Sequence, residues 1–411
     1  MKILYLHQYF ATPESNAGTR SFEMAKRFIS KGHEVVFVTS SAFLSESYDL
    51  GKGWNELKIE NITLHVLHLP YSNRDSYLKR ILKFIQFSFY STLKALKIKA
   101  DVVFATSTPL TIAIPGVIYS KYHRIPLVFE VRDLWPELPV AIGALKNPIL
   151  IKAAQFLEKF AYRNSTRLVG LSPGMCAGIE KQGIPREKIT LATNSCDTDL
   201  FDVNENVGLA YKERKLPFVG KRKLVVYTGT FGPINDVSYI VHIAKASLNK
   251  SFNTCFVAIG SGMQKNDVIK FARESGVLNK NLYILDPVAK TEIVELLSAA
   301  DLSLSLFGPI KEMWHNSANK LFDALASGTP IAINYGGWQK EFIERSSCGL
   351  VLGNDYLKSA GEIDFFLKNE SRYNVAKAAC KDLAYNYYSR DIMAERLEGA
   401  LLEAVDVKKN V

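Results

Sequence analysis

The first residues set a pattern that recurs along the chain. Residues 3–6 (ILYL) are a continuous apolar run, as in a strand buried on both faces within a parallel sheet. A polar loop with Pro13 and Gly18 follows, and residues 21–30 then place Phe22, Ala25, Phe28 and Ile29 at helical spacing. Lys31-Gly32-His33 stops that helix, and residues 34–39 (EVVFVT) read as a second strand. The same alternation yields strands at 101–105 and 126–131, then at 224–228, 255–259, 302–306 and 331–333. Strand–loop–helix–strand units of this kind predict a doubly wound α/β fold whose ligands lie beyond the carboxyl ends of the strands. No G-x-G-x-x-G follows the first strand, so a dinucleotide site is not supported.

Residues 316–334, NSANKLFDALASGTPIAIN, constrain function most. A polar start leads into an apolar helical run, Gly328 and Pro330 stop it, and a short buried strand follows. A helix rising from a loop offers unpaired N–H groups and the positive end of its dipole, which suits a phosphate. Lys320 sits in the first turn, where the dipole would favour an acid, so an anion is expected nearby. Asp323, one turn on, can accept hydrogen bonds from a sugar diol. Taken alone, the stretch also fits an ordinary capped core helix. Two glycine turns, 229–233 (GTFGP) and 260–262 (GSG), follow predicted strands, and Lys265 lacks the spacing of a P-loop. Arg132 and Asp133 follow an apolar strand and are expected to face the ligand crevice, with a structural ion pair as the alternative. Asp197-Thr198-Asp199 has the form of a metal-binding Asp-x-Asp but lies outside any strand-to-helix turn, and reads as linker chemistry.

At 411 residues and 47% hydrophobic content the chain reads as two domains. Charged residues at 22% and a mean hydropathy near zero predict a soluble globular protein. No run of about 18 apolar residues predicts a membrane span, and the amino terminus reads as a strand, not a signal peptide. Five scattered cysteines without C-x-x-C spacing fit reduced thiols in a cytoplasm. The net charge of +10 fits nucleic acid, an anionic membrane face or phosphorylated substrates. Its distribution favours the second and third: in residues 71–100, Arg74, Lys79, Arg80, Lys83, Lys94, Lys97 and Lys99 oppose Asp75 alone, interleaved with Tyr77, Leu78, Ile81, Leu82, Ile85, Phe87 and Phe89 at near-helical spacing. Such a basic amphipathic helix suits a membrane surface or lipid acceptor, and equally an outer helix covering the sheet.

Taken in order, these motifs resemble the family 4 retaining glycosyltransferases of GT-B fold. Asn319-Lys320-Leu321-Phe322-Asp323, ahead of Ala326, Gly328 and Pro330, is similar to the L-N-acetylfucosaminyltransferase type of O-antigen and capsule enzymes. Most members carry two glutamates eight positions apart here; this chain has His315 and Asp323. Asn16-Ala17-Gly18-Thr19-Arg20 and Gly32-His33-Glu34-Val35 resemble the family's glycine loop and GHEV signature. Residues 130–137 (EVRDLWPE) resemble its H-D-L-W-P segment, with Arg132 at the usual His position, and residues 189–201 resemble its exit to the linker.

The resemblance implies two Rossmann-like domains facing across a cleft: 1–203 for the acceptor, 204–385 for the nucleotide sugar, and a terminal helix, 386–411, crossing back. It implies donor contacts from Gly18, Gly229, Thr230, Val288, Ala318, Asn319, Lys320 and Asp323, with Asp323 on the ribose and the Val288 loop reading the base. Asn235 stands near a usual Lys position, so neutralisation of the phosphates leans on backbone N–H groups and Lys320. The turn 336–339 (GGWQ) is expected to face the same crevice. Arg132 and Asp133 would be catalytic, lining the sugar and acceptor side, and Arg74, Lys79, Arg80 and Lys83 would meet the acceptor or membrane. The implied enzyme is a hexosyltransferase-type glycosyltransferase of O-antigen, lipopolysaccharide or capsule polysaccharide biosynthesis. Its donor would be a UDP-linked amino-deoxyhexose such as N-acetyl-L-fucosamine, and its acceptor a saccharide on undecaprenyl diphosphate. It would be cytoplasmic and peripheral on the inner membrane, with no metal, no further cofactor and no nucleic acid. Two other readings carry less weight. A nucleotide-sugar 2-epimerase of the same fold needs acid/base carboxylates and histidines in the crevice, and the chain has seven histidines in all. A basic nucleic-acid binder lacks reader motifs.

Overall fold

The computed structural model of the protein describes residues 1–15, 18–44, 48–70 and 77–409. The chain forms two compact units, Met1–Thr193 with Arg390–Val411, and Asn194–Ser389.

In the first unit, strands β1 (Lys2–Leu6), β2 (Glu34–Ser40), β3 (Trp54–Ile59), β4 (Ile62–Leu67), β5 (Val102–Thr106), β6 (Leu127–Val131), β7 (Arg167–Gly170) and β8 (Ile189–Leu191) form one sheet. Their order is β3-β4-β2-β1-β5-β6-β7-β8, all parallel except the β3–β4 hairpin at one edge. Strand order reverses between β1 and β5, which makes the carboxyl ends of β1, β5 and β6 the place for a ligand. Strand alternation sorts the core. Ile3, Tyr5, Phe37 and Phe104 face one side and pack on Phe22 and Phe28 of helix Arg20–Ser30 and on Leu397 and Leu401 of helix Arg390–Lys409. Leu4, Leu6, Val103 and Phe129 face the other and meet Phe87, Val117 and Tyr162. Helix Tyr77–Ala95 therefore covers the sheet with Phe87 and Ala95, yet it also leaves Leu78 71% and Phe89 60% exposed.

In the second unit, β9 (Lys223–Thr228), β10 (Thr254–Ile259), β11 (Leu282–Leu285), β12 (Leu302–Ser305), β13 (Ile331–Ile333) and β14 (Gly349–Val351) run parallel in the order β11-β10-β9-β12-β13-β14. Here the order reverses between β9 and β12.

The division after Thr193 precedes the expected boundary at 203, for a local reason. Asn194 donates from its backbone N–H to Ser317 Oγ (3.0 Å) and from Nδ2 to the Ser317 carbonyl (2.5 Å), and the Cys196 N–H bonds the Tyr388 carbonyl (2.7 Å). Residues 194–203 are thereby tied into the second unit, and the return lies after Ser389 rather than at 386. Asp197 caps the short helix Thr198–Phe201, its Oδ1 accepting from the Leu200 N–H. The first Asp of the Asp-x-Asp is thus a helix cap inside the second unit, on the connection from β8 to this helix, not part of a linker between units. Among the described residues, no helix is long and apolar enough to cross a membrane.

Candidate active site

In the second unit the crevice where strand order reverses is built by the turn after β9 and by the helix that follows β12. The β9 and β10 ladder runs past the strand ends: the Gly229 N–H bonds the Ile259 carbonyl (2.9 Å) and the Phe231 N–H the Ser261 carbonyl (2.8 Å). The Gly229 amide, expected to face a phosphate, is thus already engaged. What Gly229 contributes is space. With φ at +143°, a Cβ on it would lie 2.6 Å from Lys320 Cε and 2.9 Å from Nζ. Gly260 has the same function one layer back, since a Cβ there would fall 1.8 Å from the Gly229 carbonyl oxygen. Thr230 is exposed at the tip, its carbonyl accepting from the Tyr227 hydroxyl at 2.8 Å.

Helix Asn319–Ser327 begins at Ala318, and no side chain caps it. Ser317, one residue earlier, has its hydroxyl oxygen taken by the Asn194 N–H. The helix start is held from behind by a buried polar chain. Trp338 Nε1 (2.8 Å) and Gln339 Nε2 (3.0 Å) both donate to the Asn316 carbonyl, the Tyr335 hydroxyl donates to Gln339 Oε1 (2.7 Å), and Ser305 Oγ lies 3.0 Å from that hydroxyl. The turn 336–339, expected to face a ligand, is therefore used for anchoring, and Gly336 and Gly337 lie against Trp314.

From this fixed start the Lys320 side chain reaches back to the Gly229 turn, with Nζ 5.2 Å from the centre of the Tyr227 ring. Among the described residues no carboxylate lies within ion-pair distance of the amine. Burial among these groups pushes its pKa down to about 8, against a smaller upward pull from Asp323. A positive charge so poorly solvated beside bare helix amides is poised to take an anion. Asp323, one turn along, is held by Lys290, whose Nζ lies 2.6 Å from Oδ2. Lys290 opens helix Lys290–Ala299, two residues after Val288, which is partly buried in the loop following β11. Ala318, Asn319, Lys320, Asp323 and Gly229 thus converge on one crevice, with the Val288 loop joined to it through Lys290.

In the first unit, Arg132 and Asp133 leave the carboxyl end of β6. Arg132 Nη1 donates to His7 Nε2 (3.4 Å) at the end of β1, and its backbone N–H donates to Ser107 Oγ (3.0 Å) at the end of β5. Burial and the Arg132 charge push the His7 pKa well below its usual value, so the ring is neutral and its Nδ1 proton goes to Ser21 Oγ (2.9 Å). Asp133 accepts from Thr108 Oγ1 (3.1 Å); burial raises its pKa, and Arg132 and that hydrogen bond oppose the rise. His7 was missed in the sequence, where its only signal is its place as the first polar residue after the β1 run.

Gly18 is exposed, two residues before Arg20, and Asn16 and Ala17 lie outside the described residues. Arg20 makes a buried ion pair with β6: its Nε and Nη2 meet Glu130 Oε1 at 3.0 and 2.9 Å. On helix Tyr77–Ala95, Lys79 is exposed, Arg80 is half-buried, and Lys83 Nζ donates to the Pro70 carbonyl at 2.5 Å; Arg74 lies outside the described residues. Among the described residues no cluster of three or more His, Cys, Asp or Glu side chains is arranged to hold a metal ion.

Residues 17–195 match the family described as the glycosyl transferase 4-like domain. No curated protein matches the chain. Among solved structures, Anabaena Alr3699/HepE in complex with UDP and glucose aligns over 98% of this chain and 100% of its own, at 16% identity and a TM-score of 0.69. Sucrose-phosphate synthase from Thermosynechococcus elongatus aligns over 99% of each chain, at 13% identity and 0.71. WaaG, a glycosyltransferase involved in lipopolysaccharide biosynthesis, aligns over 97% of this chain and 98% of its own, at 15% identity and 0.66. Two doubly wound units of this construction are the GT-B fold. Residues 17–195 are thus similar to a glycosyl transferase 4-like domain, and the whole chain shares the GT-B fold.

Proposed function

We propose that the protein transfers a sugar, with retention at the anomeric carbon, from a UDP-linked donor to a lipid-linked saccharide. The observation that carries this is the Lys320 amine, drawn into the Gly229 turn beside an uncapped helix start. When the bond between the sugar C1 and the diphosphate oxygen breaks, negative charge grows on the leaving group while the sugar takes on oxocarbenium character. Lys320 and the amides of Asn319 and Lys320 stabilise that charge, and Asp323 holds the ribose. The acceptor hydroxyl forms the new bond to C1, and its proton passes to the departing diphosphate, so no protein nucleophile is consumed. Arg132 and Asp133 orient the sugar and acceptor, with Arg132 held by the neutral His7 ring.

The donor sugar we propose is an amino-deoxyhexose such as N-acetyl-L-fucosamine, and the acceptor an undecaprenyl-diphosphate saccharide of O-antigen or capsule assembly at the inner membrane. Helix Tyr77–Ala95 supports that location: Leu78, Leu82, Ile85 and Phe89 form an exposed stripe beside Lys79 and Lys83. Tyr122 and Phe156, on neighbouring helices of the same unit, are exposed as well. Between Lys79 and Glu130 the sequence holds a single acid, Asp101, so this face suits anionic lipid.

A panel of nucleotide sugars, offered with a polyprenyl-diphosphate saccharide in anionic or zwitterionic vesicles, tests the proposal. Transfer with retained anomeric configuration, faster on anionic vesicles by about tenfold, is the expected result. Interconversion of the nucleotide sugars without any acceptor would make the protein an epimerase, and equal rates on both vesicles would remove the membrane surface from the proposal.

A further inference from the structure

Lys290 stands in none of the motifs above, yet it joins two parts of the crevice. Its Nζ lies 2.6 Å from Asp323 Oδ2 and 5.1 Å from the centre of the Phe201 ring. Phe201 is buried on the short helix Thr198–Phe201, which packs against both helix Lys290–Ala299 and helix Asn319–Ser327. The ammonium of this 40% exposed side chain is thus met from two other elements, by the Phe201 ring and by the Asp323 carboxylate, and it holds one oxygen of that carboxylate.

A carboxylate rotates freely about its last torsion unless something holds one of its oxygens. With Oδ2 committed to Lys290, Oδ1 and the remaining lone pair of Oδ2 point in set directions, as reading two adjacent hydroxyls requires. Lys290 has a second consequence. A bare carboxylate one turn from Lys320 would repel a diphosphate bound at the helix start, and the Lys290 charge offsets that repulsion. Because Lys290 follows the Val288 loop by two residues, the same contact sets the distance from the loop after β11 to the acid.

We infer that Lys290 is a positioning residue that orients Asp323 to read the ribose diol of the donor nucleotide, and so makes the site selective for ribonucleotides over 2′-deoxyribonucleotides. This rests on the donor-binding reading above. The test is calorimetric titration of the full-length protein with UDP and with 2′-deoxy-UDP, for wild type, Lys290→Met, Lys290→Arg, Asp323→Asn and the double variant Lys290→Met/Asp323→Asn. Met keeps the apolar stem over Phe201, and thermal melting checks that each variant is folded. Wild type should prefer UDP by about 10- to 100-fold, the worth of the hydrogen bond that the 2′-hydroxyl donates to a charged acceptor. Lys290→Met should bring that preference to within about threefold, chiefly by weakening UDP, and Lys290→Arg should restore it. The double variant should be no worse than Asp323→Asn alone, because the two residues act as one unit.

A Lys290→Met protein that binds UDP and keeps the wild-type preference would overturn the inference and leave the transferase reading intact. Wild-type protein that binds neither nucleotide would overturn both.

Discussion

Replacing Lys320 with Met is expected to weaken UDP binding by roughly 10- to 150-fold, the equivalent of the about 1.5–3 kcal/mol that a hydrogen bond to a charged group contributes. Met fills the space against Gly229 and Tyr227 without a charge, so the loss should come without unfolding. The pH dependence identifies the group. In the free protein the Lys320 amine titrates near 8, because burial opposes its charge. A bound diphosphate favours the charged form and raises that pKa. Affinity should therefore be flat between about pH 7, above the phosphate's own pKa of about 6, and pH 8, and fall as pH rises further, by up to tenfold per unit, with a proton taken up on binding. Titration in buffers of different ionisation enthalpy reads that proton, and Lys320→Met should abolish both the slope and the uptake. Stability has the opposite slope. The folded-state pKa lies below the 10.5 of an ordinary lysine, so between pH 8 and 10.5 the unfolded chain holds the extra proton and wild type gains stability as pH rises. Below pH 8 the folded protein carries the full cost of this partly buried charge, and Lys320→Met should melt no lower than wild type. A variant that bound UDP as tightly as wild type would remove the proposed phosphate site.

The parts of this fold that were legible in the sequence are those that bury both faces of a strand. Runs such as ILYL, EVVFVT and the strand at 255–259 are apolar throughout because parallel strands are covered on both sides, and their bounds differ from the observed ones by a residue at most. The β3–β4 hairpin escaped because an edge strand reading WNELKI is half polar and alternates only weakly. Local chemistry was legible as well: a lysine in the first turn of a helix, where the dipole favours an acid, is a conflict between neighbouring residues, visible without coordinates. Pairings across the fold were not. Lys290 and Asp323 are separated by 33 positions, and nothing near Lys290 distinguishes it from a surface lysine. The turn 336–339 looked like a ligand loop because glycines beside a tryptophan carry no sign of whether the space is for a ligand or, as here, for Trp314. Gly229 was named as a donor contact, and what the structure shows of it is the room its missing side chain leaves for Lys320.

The pairing with the greatest consequence for stability is Arg20 with Glu130. Arg20→Met is expected to cost about 3–5 kcal/mol, a large share of the about 5–15 kcal/mol that holds a typical domain folded. Glu130 is 0% exposed, and its Oε2 accepts from Thr106 Oγ1 at 2.5 Å, so among the described residues that hydroxyl is the side-chain partner left to it without Arg20. The guanidinium is as fully used: besides Glu130 it donates to the Thr193 carbonyl at 2.5 Å and the Ala192 carbonyl at 2.9 Å. Glu130→Gln should cost less than Arg20→Met, since the amide oxygen and those two carbonyls still receive the guanidinium protons. Arg20→Met/Glu130→Gln should recover most of the loss, because a neutral side chain in the same place has no charge to desolvate. Denaturant titration of the three variants checks the order; Arg20→Met within about 1 kcal/mol of wild type would mean that water reaches Glu130 after all. The double variant also separates stability from alignment. Arg20 ties the loop carrying Gly18 to β6, the strand that ends in Arg132 and Asp133, and to the last residues before the chain leaves the first unit. A double variant that melts like wild type but transfers sugar slowly would show that the ion pair is retained to hold that end of the sheet in register, since an uncharged pair of similar volume could support the core without it.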